Sequence, residues 1–353
     1  METLLSQPQD LLERPNVREA SLSTVEGGAT RCLTCERRCI ISPGKVGYCR
    51  TRINIEGRLY TLIYGDISSI SINPIEKKPL YHFWPGSRAL TFGSWGCNFP
   101  CPWCQNSELS KRPPNPKTAE YVSPQDLLKM PKSRFQGTSI SFNEPTLMLE
   151  YALDLFPLAK RMGLYNTYVS NGYMTTSALR KLSDAGLDAV KFDVKGGFES
   201  VRKYCEADVG VVWRNVKSSI SMGMHVEIVT LIIPRINDDV EAVTEIVREH
   251  LRYAGPETPL HFSRFYPSYM MMDRKATPIE SLEKAYLIAK REGVEYVYLG
   301  NCPGHKYENT YCPRCGELLI ERYLFDIVDY RLGAENSCPA CGEDIPITGR
   351  FGT

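Results

Sequence analysis

GSWGCNFPCPWCQN, residues 93–106, follows the apolar segment RALTF and carries Cys97, Cys101 and Cys104. The C-x3-C-x2-C spacing suits a cubane [4Fe–4S] cluster, because three thiolates can each hold one iron. The fourth iron would then lack a protein ligand, and an open metal position is typical of a catalytic site. The alternative is a zinc site that a distant His or Cys completes.

A strand–helix alternation surrounds this loop between residues 88 and 300. Short β-rich segments recur at RALTFGSW, GTSISF, LYNTYVS, LDAVKFDV, HVEIVTLII, LHFSRF and VEYVYLG. Helical patterns such as PTLMLEYALDLFPLAKRMG separate most of them, which favours a parallel sheet with crossover helices. We therefore predict an α/β fold, a partial (β/α)6-type, TIM-like barrel. A doubly wound sheet is the alternative, although no G-x-G-x-x-G or Walker sequence follows the first strand.

Polar residues follow each of these strands. The strand ends after the cysteine loop read SFNEP, VSNGY, FDVKGG, IIPRIND and FYPSY. Active-site groups of a βα barrel lie at the carboxyl ends of its strands and in the loops that follow. The pattern therefore predicts one functional site at this end of the barrel.

Two further cysteine quartets flank the barrel. Cys312, Cys315, Cys338 and Cys341 form two C-P-x-C-G knuckles, which predict a zinc ribbon, with a rubredoxin-type iron site as the alternative. Cys32, Cys35, Cys39 and Cys49 are spaced unevenly. They predict either a zinc site or a second [4Fe–4S] cluster that supplies electrons to the first.

Composition sets the broad class. Thirteen cysteines without a secretion-type leader favour metal or redox chemistry in the cytoplasm over disulfides. A net charge of +1 argues against binding of nucleic acid, and no apolar run is long enough to span a membrane.

The chain is expected to have four parts. We expect a poorly ordered tail over 1–30, a four-cysteine lobe with a β ribbon over 31–87, the barrel over 88–300 and the zinc-ribbon domain over 301–353.

The cysteine loop resembles that of radical S-adenosylmethionine (SAM) enzymes related to pyruvate formate-lyase activating enzymes. The segments NPIEKKPLYHFWPGS, NEPT and HFSRFYPSYMMMD, with the order of the cysteine groups, resemble the radical SAM member of the AmmeMemoRadiSam system. The resemblance implies that Cys97, Cys101 and Cys104 hold a [4Fe–4S] cluster whose open iron binds SAM. Reductive cleavage would give a 5′-deoxyadenosyl radical that abstracts hydrogen from an unidentified small molecule or protein side chain.

The resemblance also assigns residues of the first strand ends to SAM. It places the ring of Trp103 on adenine, although packing at the barrel mouth is an equal alternative. It gives Glu144 the SAM amino group, with capping of the next helix as the alternative. Ser170 and Asn171 match the site that contacts the SAM carboxylate or ribose, in a sequence that is also an ordinary turn.

Later strand ends match the family in part. Asp193 and Lys195 match a DxK pattern of activating enzymes, or form a local salt bridge. Thr230 begins a stretch that flanks adenine, where Arg235 replaces the usual small residue.

The resemblance further implies a flavodoxin- or ferredoxin-type electron donor and Memo-family partner proteins. Two alternatives remain for the function. One is an activating enzyme that installs a glycyl radical on a partner enzyme. The other is a non-catalytic zinc and iron–sulfur interaction protein.

Overall fold

The structure is a computed structural model that describes residues 8–131 and 134–351. Contacts divide this chain into two compact units. The first contains the described residues up to Ile72 together with Leu90–Asp188, and the second contains Asn73–Ala89 and the described residues from Ala189 onward. Within 8–131 and 134–351, every helix is too short or too polar to span a lipid bilayer.

Seventeen strands and eight α-helices are present among these residues. The strands are β1 Arg18–Glu19, β2 Ser23–Glu26, β3 Ala29–Cys32, β4 Ile40–Ile41, β5 Arg52–Ile55, β6 Arg58–Thr61, β7 Ser69–Pro74, β8 Arg88–Gly93, β9 Gly137–Ile140, β10 Tyr165–Ser170, β11 Ala189–Asp193, β12 His225–Ile232, β13 Leu260–Arg264, β14 Val297–Gly300, β15 Thr310–Tyr311, β16 Leu318–Tyr323 and β17 Asp326–Tyr330. The helices are α1 Ser107–Ser110, α2 Pro124–Leu127, α3 Leu149–Arg161, α4 Thr176–Ala185, α5 Phe198–Cys205, α6 Val209–Ser221, α7 Val240–Tyr253 and α8 Ile279–Glu292.

The predicted strand–helix repeat is present. In the first unit β9 pairs in parallel with β10, and each is followed by a helix, α3 and α4 respectively. In the second unit β11 to β14 pair in parallel in chain order, with α5 and α6, α7 and α8 in the three connections. The strands are almost wholly buried, as expected for a parallel sheet covered by helices. The α/β fold class of a partial (β/α)6 barrel is confirmed.

Helix boundaries follow local chemistry. Thr175 accepts a hydrogen bond from the Ala178 amide at the start of α4, and Asp239 accepts one from the Ala242 amide at the start of α7. Gly186 ends α4 in the left-handed conformation that favours glycine. These caps fix where each helix leaves its strand-end loop.

The N-terminal segment corrects one expectation. Residues 1–7 of the expected 1–30 tail lie outside the described residues, but residues 8–30 form β1, β2 and part of β3. Leu11 and Val17 are buried against Ile53 and Ile55. The expectation of a poorly ordered tail is wrong for residues 8–30, because these apolar side chains have a core to enter.

The region of the expected β ribbon, 31–87, contains the antiparallel strand pair β5 and β6. β6 also pairs with β1, whereas β7 belongs to a different sheet. Between β6 and β7 the chain turns at Gly65, whose φ is +68° and whose backbone lies against Tyr121 and Val122. β6 and β7 therefore face different partners.

Candidate metal and cofactor site

The cysteine loop leaves β8 in a fixed conformation. The Ser94 amide donates to Asn143 Oδ1 at 3.0 Å, and the Ser94 hydroxyl donates to the Asp66 carbonyl at 2.6 Å. Gly96 has a φ of +78°, and a Cβ there would lie 2.8 Å from the Cys49 carbonyl oxygen. Glycine is required at this position because the loop passes so close to the backbone of the N-terminal lobe.

Two of the three loop thiols contact hydrogen-bonding groups. Cys97 Sγ accepts from the Phe99 amide at 3.4 Å, and Cys104 Sγ lies 3.0 Å from Ser110 Oγ. Cys101 is buried. Burial raises the pKa of Cys97 to about 12, with further contributions from Glu144 and Cys101. A thiol in this environment ionises when a cation binds it.

Glu144, Ser170 and Asn171 form one hydrogen-bonded group beside the loop. Ser170 Oγ donates to Glu144 Oε1 at 2.7 Å, and the Asn171 amide donates to Glu144 Oε2 at 2.8 Å. The Asn171 side-chain amide donates to Asn98 Oδ1 at 2.7 Å and lies 3.9 Å from Cys97 Sγ. The ends of β9 and β10 thus meet the cysteine loop, as the strand-end rule predicts.

Glu144 also performs the capping role that was its alternative. Its Oε1 accepts from the backbone amide and the hydroxyl of Thr146, at 3.1 and 2.6 Å, at the start of a 3₁₀ turn. Among the described residues, Oε1 thus has three donors, whereas Oε2 has one. Burial raises the pKa of Glu144, although these donors oppose the shift. Oε2 is therefore the less crowded of the two oxygens.

Trp103 is buried, with 3% of its surface exposed, between the second and third loop cysteines. Packing of its ring is therefore observed, and stacking on adenine stays a prediction. The structure brings Trp103, Glu144, Ser170 and Asn171 into the first unit together with the three loop thiols.

The remaining predicted SAM residues belong to the second unit. Asp193 Oδ2 accepts from Lys195 Nζ at 2.9 Å, and Asp193 Oδ1 accepts from Lys191 Nζ. The predicted local salt bridge is thus present, with a second lysine that the sequence pattern did not indicate. Burial acts to raise the pKa of Asp193, but the two ammonium groups more than offset it and lower the pKa to about 2.

This arrangement predicts a pH dependence of stability. The carboxyl group takes up its proton near pH 3.9 in the unfolded chain and near pH 2 in the folded one, so its stabilising contribution is complete above about pH 4. The contribution is lost as the pH falls toward 2. We expect the free energy of unfolding of the wild type to exceed that of Asp193→Asn by a margin that shrinks between about pH 4 and pH 2. Urea titrations at several pH values measure this margin.

The control for this experiment is Lys195→Met, which removes one of the two cations. We expect it to raise the pKa of Asp193 and so to narrow the pH range over which this carboxylate loses its stabilising contribution. If the difference in the free energy of unfolding between wild type and Asp193→Asn stayed constant from pH 5 to pH 2, the lowered pKa of Asp193 would be contradicted.

Thr230 lies buried in β12, and its hydroxyl has no hydrogen-bond partner among residues 8–131 and 134–351. Arg235 is exposed at a φ of +63°, and its amide donates to Asp238 Oδ1 at 2.7 Å. This left-handed turn gives a physical reason for a small residue at that position.

His82 has a structural role, since its ring contacts Tyr298 Oη at 2.6 Å and is fully buried.

The two outer quartets differ in geometry. In the C-terminal quartet Cys312 Sγ lies 3.6 Å from Cys341 Sγ, and Cys315 Sγ lies 3.7 Å from Cys338 Sγ. All four sulfurs lie within 4.8 Å of one another, which suits a single tetrahedral metal ion. The N-terminal quartet does not form such a compact group among the described residues.

The chain is similar to several known proteins. The family model of the radical SAM superfamily matches residues 94–247. An uncharacterized protein of Methanocaldococcus jannaschii is 40% identical over 334 residues, which cover 94% of this chain and 99% of that protein. A putative glycyl-radical enzyme activating enzyme of the same organism is 23% identical over 180 residues, 48% of this chain and 73% of its own length.

Among solved structures, a domain of a pyruvate-formate lyase-activating enzyme from Bacteroides vulgatus has a TM-score of 0.41 and 12% identity. The match covers 47% of this chain and 99% of that one.

Sequence reasoning missed several residues that belong to these sites. Asn98 and Thr146 bind the predicted SAM residues, and Lys191 binds Asp193. Asn98 and Thr146 are close neighbours of predicted residues along the chain, so adjacency was the available signal. Lys191 precedes Asp193 by two positions in β11, a spacing that places both side chains on one face of the strand.

Proposed function

Because the chain belongs to the radical SAM superfamily, we propose that it binds SAM at a [4Fe–4S] cluster held by Cys97, Cys101 and Cys104. When bound, the cluster and SAM together supply a one-electron cleavage that yields methionine and a hydrogen-abstracting 5′-deoxyadenosyl radical. The chain's own residues hold the cluster, orient SAM and shield the site from water.

The observation that supports this proposal is the group of Glu144, Ser170 and Asn171 beside Cys97. Residues from two strand ends and the cysteine loop meet there through hydrogen bonds of 2.7 and 2.8 Å. A buried carboxylate, with one oxygen that accepts a single hydrogen bond among the described residues, suits the ammonium group of an amino acid. The Asn171 amide lies close enough to Cys97 Sγ to bind the same ligand that the cluster binds.

The fit of the cluster to this loop has two supports. The three thiols are held by a loop of fixed conformation, and Asn171 and the Phe99 amide supply donors to Cys97 sulfur. Donors of this kind stabilise thiolates and set the reduction potential of iron–sulfur clusters. We assign Trp103 and Thr230 to the adenine ring, and Asp193 and Lys195 to the rest of SAM.

We expect Glu144→Gln to weaken SAM binding by about 10- to 100-fold, because it replaces a charge-assisted contact with a neutral one. Equilibrium dialysis with the iron-loaded protein measures the dissociation constant. Thr146→Val is the matched control, since it removes a donor to Glu144 and keeps the carboxylate. A Glu144→Gln protein with wild-type iron content and unchanged SAM affinity would contradict the role of Glu144.

We propose that the substrate is a small molecule or protein side chain handled with Memo-family partners, as in the AmmeMemoRadiSam system. The sequence resemblance in NEPT, FYPSYMMMD and the C-terminal ribbon supports this choice. The similarity to a putative glycyl-radical enzyme activating enzyme supports the second candidate, a partner enzyme that receives a glycyl radical. An organic-radical signal on a partner protein would favour the second candidate. Deoxyadenosine formation that rises with a Memo-family protein would favour the first.

We further propose that this reaction takes place in the cytoplasm with a flavodoxin- or ferredoxin-type electron donor, and that the C-terminal quartet binds zinc. Four sulfurs already within 4.8 Å of one another suit a zinc ion, whose thiolate bonds are about 2.3 Å long.

Cys338→Ser is expected to remove one zinc per chain and to expose the core that Leu319, Ile320 and Ile345 form around this quartet. Elemental analysis and limited proteolysis measure both effects. Cys302→Ala, at a buried cysteine outside all three groups, serves as the control. Zinc content equal to that of wild type would count against the assignment.

The proposed function itself is tested by electron paramagnetic resonance of the reduced, iron-loaded protein. We expect SAM to shift the signal of the reduced cluster, because it occupies the open iron position. A fully loaded protein whose spectrum does not respond to saturating SAM would favour the non-catalytic interaction protein.

A further inference from the structure

The N-terminal quartet surrounds a cavity in the first unit. Twelve residues line it, and the four that carry sulfur are Cys32, Cys35, Cys39 and Cys49. The cavity volume is about 10 Å³, close to the space that one water molecule needs. If all four sulfurs lay about 2.3 Å from one zinc position, no space for a water molecule would remain between them.

The spacing of the sulfurs points the same way. Among the described residues, the C-terminal quartet brings all four sulfurs within 4.8 Å of one another, whereas the N-terminal quartet forms no such compact group. The loop triplet at Cys97, Cys101 and Cys104 forms none either within the described part of the chain. A cubane cluster spreads its thiolates over four separate irons, so it needs sulfurs farther apart than a single ion does.

Two buried donors in the wall of this cavity lack an acceptor among the described residues. Thr34 Oγ1 and Arg52 Nε have no hydrogen-bond partner among residues 8–131 and 134–351, and each residue is 1% exposed. An unpaired buried donor costs about 1–3 kcal/mol, so two around one cavity indicate a missing acceptor. The bridging sulfides of an iron–sulfur cluster accept hydrogen bonds of this kind, and a zinc ion brings no acceptor of its own.

We propose that Cys32, Cys35, Cys39 and Cys49 bind a second [4Fe–4S] cluster. Because cysteine holds all four irons, the site has no open position for a substrate, and its role is one-electron transfer. It passes one electron to the cluster of the 93–106 loop, and a flavodoxin- or ferredoxin-type donor then returns one electron to it. Neither step forms or breaks a bond, and neither transfers a proton.

The position of this site next to the 93–106 loop supports the electron-transfer role. Asn98 lines the cavity, follows Cys97 in the chain and accepts a hydrogen bond from Arg37 Nε on its carbonyl at 2.9 Å. On the other side of Cys97, Gly96 lies against the Cys49 carbonyl. Both chain neighbours of Cys97 therefore contact the lobe that carries the quartet.

The test is the metal content of the full chain after anaerobic reconstitution. We expect about eight irons and eight acid-labile sulfides per chain in the wild type. The triple variant Cys97→Ala, Cys101→Ala, Cys104→Ala should retain about four of each, with the resonance signal of a reduced cluster. The double variant Cys35→Ala, Cys49→Ala should lose the same amount. Cys302→Ala is the control and should match the wild type.

Acid-labile sulfide separates the possible outcomes, because neither a zinc site nor a rubredoxin-type iron contains it. A triple variant without sulfide, and with two zinc ions per chain in place of one, would overturn the proposal. If the double variant does not fold, the triple variant alone decides between the two results. Both readouts are independent of SAM cleavage, so a failure here is distinguishable from a failure of the proposed function.

Discussion

Cys97→Ala, Cys101→Ala and Cys104→Ala are each expected to lower the rate of 5′-deoxyadenosine formation from SAM by more than about 100-fold. Loss of a residue that only hydrogen-bonds a metal ligand lowers metal affinity or activity by about 10- to 100-fold. Loss of the ligand itself should lower the rate by more than that. A lost thiolate removes the ligand itself and leaves one iron without a protein contact. Anaerobic incubation with dithionite and SAM, followed by chromatography, measures the product.

Cys302→Ala is the matched control for these variants. This residue is buried, with 3% exposed, and it belongs to none of the three cysteine groups. We expect it to retain the activity of the wild type. If one of the three loop variants kept full activity while the control behaved as expected, that cysteine would not be a ligand.

Glu150→Ala is expected to lower the free energy of unfolding by about 3–5 kcal/mol, because it leaves a buried guanidinium without its partner. Arg52 is 1% exposed, and its Nη1 donates to Glu150 Oε1 at 2.8 Å. The same carboxylate accepts from the Ser21 amide at 3.0 Å, so this donor is also left unpaired. Urea unfolding of the metal-loaded protein measures the change.

Two variants control this experiment. Replacing both partners, as Arg52→Met with Glu150→Leu, should recover most of the loss, since paired removal of a buried ion pair is often close to neutral. Arg248→Ala breaks an exposed pair with Glu292 and should cost less than about 1 kcal/mol. If Glu150→Ala and Arg248→Ala lowered the free energy of unfolding equally, burial would not be what makes the Arg52–Glu150 pair stabilising.

Much of the fold could be predicted because its signals are local. Each of the seven predicted barrel segments contains a strand, from Arg88–Gly93 to Val297–Gly300. An apolar run of four to eight residues between turn signals carries this information without knowledge of its partners. The strand-end rule then brought Glu144 and Ser170 together correctly, although twenty-six positions separate them in the chain.

The errors came from pairing that is not local. Residues 8–30 looked like a tail because short strands such as β1 bury little by themselves, and β1 is stabilised by pairing with β6 about forty residues later. The Arg52–Glu150 pair was likewise invisible, since its members are separated by ninety-eight positions. The metal that the N-terminal quartet binds depends on how far apart its sulfurs lie, which residue spacing does not determine.

The central claim is that this chain cleaves SAM reductively at the cluster of the 93–106 loop. The most direct measurement follows methionine and 5′-deoxyadenosine after the reconstituted wild-type protein is reduced and mixed with SAM under anaerobic conditions. We expect both products in equal amounts, and neither from the protein that lacks Cys97, Cys101 and Cys104. A fully iron-loaded, reduced protein that leaves SAM intact would contradict the account.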